Sequence, residues 1–197
     1  MHRLVLATRN AHKAREFVQI LGPGFSVTDL TGMNDLPEVE ENGASFEENA
    51  ILKALAVSNV LPGLVVSDDS GLEVVALHGA PGVRSARYAG ESATDEENVA
   101  KLLSEIRAAD PGEKERCARF CCTLALADAG KILRTFHGAV NGVIVSGARG
   151  ERGFGYDPVF APERYAQTFA ELGVNVKNRI SHRAEAIARL REYLTSP

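Results

Sequence analysis

Between Leu4 and Phe17 the sequence LVLATRNAHKAREF passes from a continuous apolar run, through a short polar turn, straight into helical spacing. Arg3 to Ala7 reads as a short buried strand. Ala14, Phe17, Val18 and Leu21 then recur at three and four, which predicts a helix over Ala11 to Leu21. The first N–H groups of a helix have no partner inside it, so a strand, a tight polar turn and a helix start make a natural seat for an anion. Phosphate is the first candidate. Asn10 can offer an amide, and Lys13, one turn into the helix, can return an ammonium to the site at its start. The plain alternative is a capped helix with a solvated lysine; the GxxxxGK[ST] spacing of a P-loop is missing.

Gly22-Pro23-Gly24 stops that helix, and Phe25 to Asp29 reads as a second strand, followed by an irregular acidic stretch, MNDLPEVEENGAS. Helical spacing returns from Ser45 to Val60, with Ser45 as N-cap and Glu47 and Glu48 in the first turn, where the dipole favours negative charge. Pro62-Gly63 ends it, LVVS begins another strand, and Asp68 and Asp69 are expected at that strand's C-terminal end, before Ser70-Gly71. GLEVVAL is strand-like, GAPGVRSARYAG is a glycine-rich loop, and Thr94 is placed to cap a helix through Arg107. RFCCTLALAD and ILRTFHGAVNGVIV, on either side of Gly130-Lys131, predict a hairpin or meander. RGERGFGYDPVF is a second glycine-rich loop, and a last helix is expected from about Ser181 to Leu194. Helices and strands mix throughout, so the class is α/β with a mixed sheet, read as one compact unit without repeats or linkers.

At 197 residues and 45% apolar, the chain can build a sizeable core without disulfides or metals to hold it. Lys and Arg number 22 against 26 Asp and Glu, so no general basic field gathers a polynucleotide, although a small anionic substrate needs only a local cluster. Cys117, Cys121 and Cys122 lack zinc spacing and are expected as reduced core residues. No apolar stretch approaches the roughly 20 residues of a membrane helix, and the start has no long apolar signal region, so the cytosol is the expected location.

Three further stretches can carry chemistry. In SDDSG, adjacent carboxylates on a strand point to opposite sides, so one can face a ligand crevice and hold Mg²⁺ next to phosphates; Glu40 or Glu41 can complete such a site. The bland reading is an Asx-type turn into glycine. In GFGYDP, Phe154 lies between two glycines and can lie flat against a base, worth about 1–3 kcal/mol, or can plug the core beneath a turn. In KNRISHR, Lys177, Ser181, His182 and Arg183 gather donors at the start of the last helix, where the dipole opposes them and something negative has to compensate.

Taken in order, ATRNAHKAREF, SFEENAILKA, SDDSGLEV, GAPGVRSARYAG, GFGYDPVF and KNRISHR resemble the inosine triphosphate pyrophosphatase family, the enzymes that hydrolyse non-standard purine nucleoside triphosphates. The resemblance implies an elongated mixed sheet with two α/β lobes around a central nucleotide cleft, usually in a homodimer. It implies nucleotide binding by Thr8, Arg9, Asn10, Ala11, His12 and Lys13, a catalytic and metal-holding carboxylate at Asp69, and Ser70 against the substrate. Phe154, Gly155, Tyr156, Asp157, Lys177, His182 and Arg183 correspond to the base pocket. The implied reaction is NTP plus water to NMP plus pyrophosphate, with Mg²⁺ held by Asp69 and by Glu40 or Glu41, Glu40 being preferred. Lys13 and Lys53 neutralise the phosphates, and Asp68 is the alternative base. The substrates implied are ITP, dITP and XTP. Arg9 stands where many members carry a small residue, and Glu151-Arg152 where a glycine pair is more common. A Maf-like pyrophosphatase and a nucleotide sensor without turnover are the competing readings.

Overall fold

The computed structural model describes residues 2–33, 36, 39–109 and 116–196. Of the acidic stretch from Met33 to Ser45, residues 34, 35, 37 and 38 lie outside the described ones. Six strands form one sheet in the order β2-β1-β3-β4-β5-β6, with β1 His2–Leu6, β2 Phe25–Asp29, β3 Val65–Val74, β4 Cys117–Asp128, β5 Lys131–Ile144 and β6 Phe160–Pro162. The helices are α1 Ala11–Leu21, α2 Phe46–Ser58, α3 Asp95–Ala109, α4 Phe169–Leu172, α5 Val174–Ile180 and α6 His182–Thr195. β1 pairs in parallel with β2 and β3, while β5 and β6 are antiparallel, so the sheet is mixed as expected. The chain divides into two compact units, and β3, β4 and β5 each contribute residues to both.

The first unit comprises Met1–Asp69, Cys122–Gly138 and Arg183–Pro197. Its core brings Phe17 and Leu21 of α1 and Ile187 and Leu190 of α6 together with Leu4, Leu6, Val66, Leu124 and Leu126 of the sheet. Burying such a side chain contributes roughly 1.5–3 kcal/mol, which the three-and-four spacing of both helices collects on one face. α2 packs differently, through Ala50 and Ala54 against Ala125 and Ala127. Alanines let the helix backbone come close to β4, and Ser67 makes use of that approach by donating to the Ala50 carbonyl at 2.5 Å. The turn between β4 and β5 has Ala129 and Gly130 at φ 46° and 73°, the left-handed pair that a tight two-residue hairpin connection needs.

The second unit comprises Ser70–Cys121 and Ala139–His182. Its core is built by Leu102 and Ile106 of α3, Leu72 and Val74 of β3, and an aromatic group in which the Phe120 ring lies 4.7 Å from that of Phe160 and Phe160 lies 5.4 Å from Phe169. α3 begins with the cap expected from the sequence: the Glu97 N–H donates to the Thr94 hydroxyl at 3.2 Å, and the Thr94 N–H donates back to the Glu97 carboxylate at 2.8 Å. β6, α4 and α5 are too short for periodicity to announce them.

Two expectations need correcting. Asp68 and Asp69 do not end a strand; β3 runs through them from Val65 to Val74. Polar residues in a strand look like a terminus only when nothing pairs them, and here both carboxylates are buried against cations. The cysteines are all free, but only Cys122 is buried; Cys117 is exposed and Cys121 intermediate, because strand residues alternate between faces.

Candidate active site

The turn from β1 into α1 is shaped by its own side chains. The Asn10 N–H donates to the Thr8 hydroxyl at 3.1 Å, and Asn10 caps α1 by accepting from the His12 and Lys13 N–H groups at 2.9 and 3.1 Å. The capping reading of this segment therefore holds, and it leaves the Nδ2 of Asn10 to meet an anion. No acidic residue stands in the first turn of α1 to compete with one. Arg9 donates to the carbonyls of Met33 and Leu36 at 3.3 and 3.4 Å, tying down the loop after β2. Ala11 opens the helix, and His12 Nδ1 lies 3.1 Å from an Arg15 nitrogen.

Lys53 of α2 meets two carboxylates in the first unit. Its ammonium lies 2.6 Å from Asp69 and 3.2 Å from Glu41. Two carboxylates thus share one lysine. Burial, working against Lys53 and Lys13 and reinforced by the negative charge of Glu41, pushes the Asp69 carboxyl up to about 6. Burial acts on Glu41 too, but Lys53, a hydrogen bond with Asp69 and the charge of Lys13 together hold that carboxyl below its ordinary value. Burial would lower the Lys53 ammonium, yet Asp69 and Glu41 raise it. Glu41 is half-buried beside these groups, whereas Glu40 is exposed. The contacts thus bring Glu41, rather than Glu40, to Asp69.

Among the described residues, no group of three or more His, Cys, Asp or Glu side chains is arranged to hold a metal ion. Two oxygen donors do converge, on Asp69 and Glu41, and the lysine ammonium between them marks where positive charge is wanted. Mg²⁺ bound beside phosphates commonly uses one or two protein carboxylates and takes its remaining oxygens from substrate and water. The residues fit that mode of binding.

The other carboxylate of the pair leads a different life. Asp68 is within 2.6 Å of the Lys13 ammonium and accepts from Arg183 Nε at 2.8 Å and Nη2 at 3.4 Å. Arg183 in turn donates Nη1 to Glu16 at 2.5 Å. The Cys122 thiol, 3.3 Å from Asp68 Oδ2, completes its surroundings. Burial alone would raise Asp68, but Arg183 and Lys13 hold its carboxyl well below the usual range, so it stays ionised and makes a poor base. The same burial would weaken the Arg183 charge, and Asp68 and Glu16 reverse that.

In the second unit, Asp157 is buried and accepts from Lys177 Nζ at 2.5 Å and from the Phe154 N–H at 3.0 Å. The ammonium of Lys177 also lies 4.5 Å from the centre of the half-buried Phe154 ring. Gly153 has φ 83°, and a Cβ there would collide with the Asp157 carboxylate, which explains the glycine. The Gly155 N–H donates to Asp95 at 2.6 Å, and the Tyr156 hydroxyl donates to the Ser85 carbonyl at 2.9 Å, making Tyr156 a buried part of this unit's core. His182 stacks on Phe120 with centroids 4.8 Å apart. Lys177 sits in α5, not at the start of the last helix as expected, and the compensating charge is Asp157. Ser70 is half-buried and follows Asp69 on β3.

Sequence reasoning missed Glu16 and Asp95. Glu16 left no signal in the spacing, since it lies off the face that carries Ala14, Phe17 and Leu21; that it is nonetheless buried, and so requires a cation, is visible only in the fold. Asp95 looks like any first-turn acid, and nothing local marks it as a partner for Gly155.

A mixed sheet carrying paired carboxylates and lysines, with an anion-ready helix start, defines a class of α/β proteins built to handle phosphates. The chain belongs to the Ham1 family, whose pattern it matches over residues 4–193. It is 50% identical over 195 residues to the dITP/XTP pyrophosphatase of Geobacter sulfurreducens, covering 98% of this chain and 97% of that protein. It is 45% identical to the dITP/XTP pyrophosphatase of Bacillus subtilis, with 98% of each covered. The HAM1 protein of Coxiella burnetii has a solved structure that superimposes with a TM-score of 0.88 at 40% identity, covering 99% of both chains.

Proposed function

We propose that this protein hydrolyses non-standard purine nucleoside triphosphates, ITP, dITP and XTP, to the monophosphate and pyrophosphate, and so clears them from the nucleotide pool. The observation that carries the reading is the buried Lys53 ammonium shared between Asp69 at 2.6 Å and Glu41 at 3.2 Å, where burial pushes the Asp69 carboxyl up to about 6. A carboxylate poised in that range is suited to take a proton from water at neutral pH. In the step proposed, the water oxygen bonds to the α-phosphorus, the bond from that phosphorus to the bridging oxygen breaks, pyrophosphate leaves and the water proton passes to Asp69. Lys13 and Lys53 offset the phosphate charge, and positioning supplies most of the remaining catalysis. Mg²⁺ would be held by Asp69 with Glu41, or with Glu40 in the alternative first preferred, and would neutralise phosphate oxygens.

Thr8, Arg9, Asn10, Ala11 and His12 are proposed to meet the nucleotide at the α1 turn, and Ser70 to touch it beyond Asp69. Phe154, Gly155, Tyr156, Asp157, Lys177 and His182 are proposed for the purine, with His182 donating to the O6 acceptor of hypoxanthine or xanthine. Adenine presents an amino group there and leaves a buried donor unpaired, which is a strong ground for rejection. Arg183 receives a different role below. The same reading carries a homodimer in the cytoplasm, which light scattering and fractionation check.

The decisive experiment offers ITP, dITP, XTP, GTP and ATP with and without Mg²⁺ and measures pyrophosphate. The expected result is rapid release from the first three in the presence of Mg²⁺ and slow release from GTP and ATP. Equal rates on all five, or release of single orthophosphates, would refute the reading.

A further inference from the structure

Lys13 and Glu16 stand three residues apart on α1, so their side chains share one flank of the helix. From Lys13 the contacts run to Asp68 at 2.6 Å, from Asp68 to Arg183 at 2.8 Å, and from Arg183 to Glu16 at 2.5 Å, which returns to the helix one turn beyond the start. Positive and negative charges alternate around this ring, two of each, so the buried assembly is neutral. Its members differ in exposure: the side chains of Asp68, Arg183 and Glu16 are 1%, 2% and 10% exposed, and that of Lys13 is 18%. The most accessible group in the ring is therefore the lysine ammonium.

We propose that Glu16 and Arg183 are positioning residues whose task is to hold Asp68, and through it the Lys13 ammonium, in place for the triphosphate. This rests on the pyrophosphatase reading above. Arg183 meets Asp68 through a close Nε contact at 2.8 Å and a longer Nη2 contact at 3.4 Å, so what anchors its far end decides how well the second is kept. Glu16 takes the Nη1 corner and leaves Nε and Nη2 to face Asp68, so three sides of the fork are assigned. Without the Glu16 charge the ring holds an excess of one positive charge. Asp68 then has to serve two cations alone, and its grip on Lys13 weakens. Three nitrogens of Arg183 are thus engaged in this ring.

The test compares wild type, Glu16→Gln, Lys13→Met and the double variant in steady-state ITP hydrolysis, with circular dichroism and thermal melting of each. Glu16→Gln is expected to lower kcat/KM for ITP by about 10- to 100-fold, and to lower it no further once Lys13 is already Met. A positioning role through Lys13 requires that non-additivity; effects that multiply would overturn the proposal. The ITP-to-GTP preference of Glu16→Gln is expected to stay within about twofold of wild type, since no base contact is lost. Should Glu16→Gln fail to fold, Glu16→Met combined with Arg183→Met removes both charges together, a replacement that buried pairs often tolerate. That variant is expected to show the same loss of kcat/KM with the preference retained, and wild-type turnover or a shifted preference overturns the proposal. If wild type itself releases no pyrophosphate from ITP, the pyrophosphatase reading fails; if it does and Glu16→Gln is unimpaired, only the ring fails.

Discussion

Each unit of this protein buries a lysine against an aspartate, and the two pairs are put to different uses. Lys177 and Asp157, 2.5 Å apart, set one charge against one, and Asp157 also accepts from the Phe154 N–H. Lys53 and Asp69, 2.6 Å apart, have Glu41 beside them at 3.2 Å from the same ammonium. The first pair is matched in charge and ties the turn at Phe154 to α5. In the second, burial raises Asp69 and the charge of Glu41 adds to it, against the pull of Lys53 and Lys13, and two carboxylates at one ammonium leave room for a further cation or a proton. A buried ion pair is thus weak evidence of function until its charges are counted, and an uneven count is where chemistry is to be sought.

Removing one charge from each pair separates the two uses. Asp69→Asn is expected to lower kcat for ITP by about 10⁴-fold, about 5 kcal/mol of barrier, with the far-ultraviolet circular dichroism and melting temperature near wild type. Turnover close to normal in that variant would remove Asp69 from the chemistry. Lys177→Met should act on the fold as well as on the purine side: it strands the buried Asp157 of the second unit, at an expected cost of about 3–4 kcal/mol in urea unfolding. Adding Asp157→Asn, which keeps an acceptor for the Phe154 N–H, should recover most of that loss. If Lys177→Met proves as stable as wild type, the pair is not the fastening it is taken to be.

A smaller effect separates the two glutamates. Glu41→Gln is expected to raise the Mg²⁺ concentration needed for half-maximal activity about tenfold, about 1.4 kcal/mol, and by more than Glu40→Gln does. The opposite order would give the role to Glu40. The resemblance favoured Glu40, three before Gly43, but spacing within an aperiodic acidic stretch says nothing about direction, and the approach of α2 brings Lys53 to Glu41. The same limit recurs elsewhere. α1 and β2 were legible to the residue, since each has its own period and glycines and a proline separate them. Lys13, Lys53 and Asp69 were legible as residue types with a motif around them. The link from Glu16 to Arg183 spans 167 positions, and that from Asp68 to Arg183 spans 115, so no local pattern records either. The unbroken β3 was hidden for a related reason: the cations that let a strand bury two aspartates are supplied from α1, α2 and Arg183, all remote in sequence.

The smallest effect concerns how each unit starts the helix that supports its polar cluster. Ser45 caps α2 by accepting from the Glu48 N–H at 3.1 Å, while the Glu48 carboxylate accepts from Ala44 instead of from Ser45. Thr94 caps α3 reciprocally with Glu97, satisfying two orphan N–H groups through one pair of residues. α3 also carries Asp95, the acceptor for Gly155, in its first turn. Loss of a cap costs about 1 kcal/mol, so Ser45→Ala and Thr94→Ala should each destabilise by that amount in urea unfolding. Their further consequences should part company. Fraying of α2 begins two turns before Lys53, and tertiary burial of Ala50 and Ala54 holds the intervening turn, so Ser45→Ala should leave kcat within about twofold. Fraying of α3 reaches Asp95 at once, and the amide exchange of Gly155 in Thr94→Ala should quicken by about tenfold, read by hydrogen–deuterium exchange. Unaltered exchange at Gly155 would mean that Asp95 is held by the packing of α3 in the second unit and not by its cap.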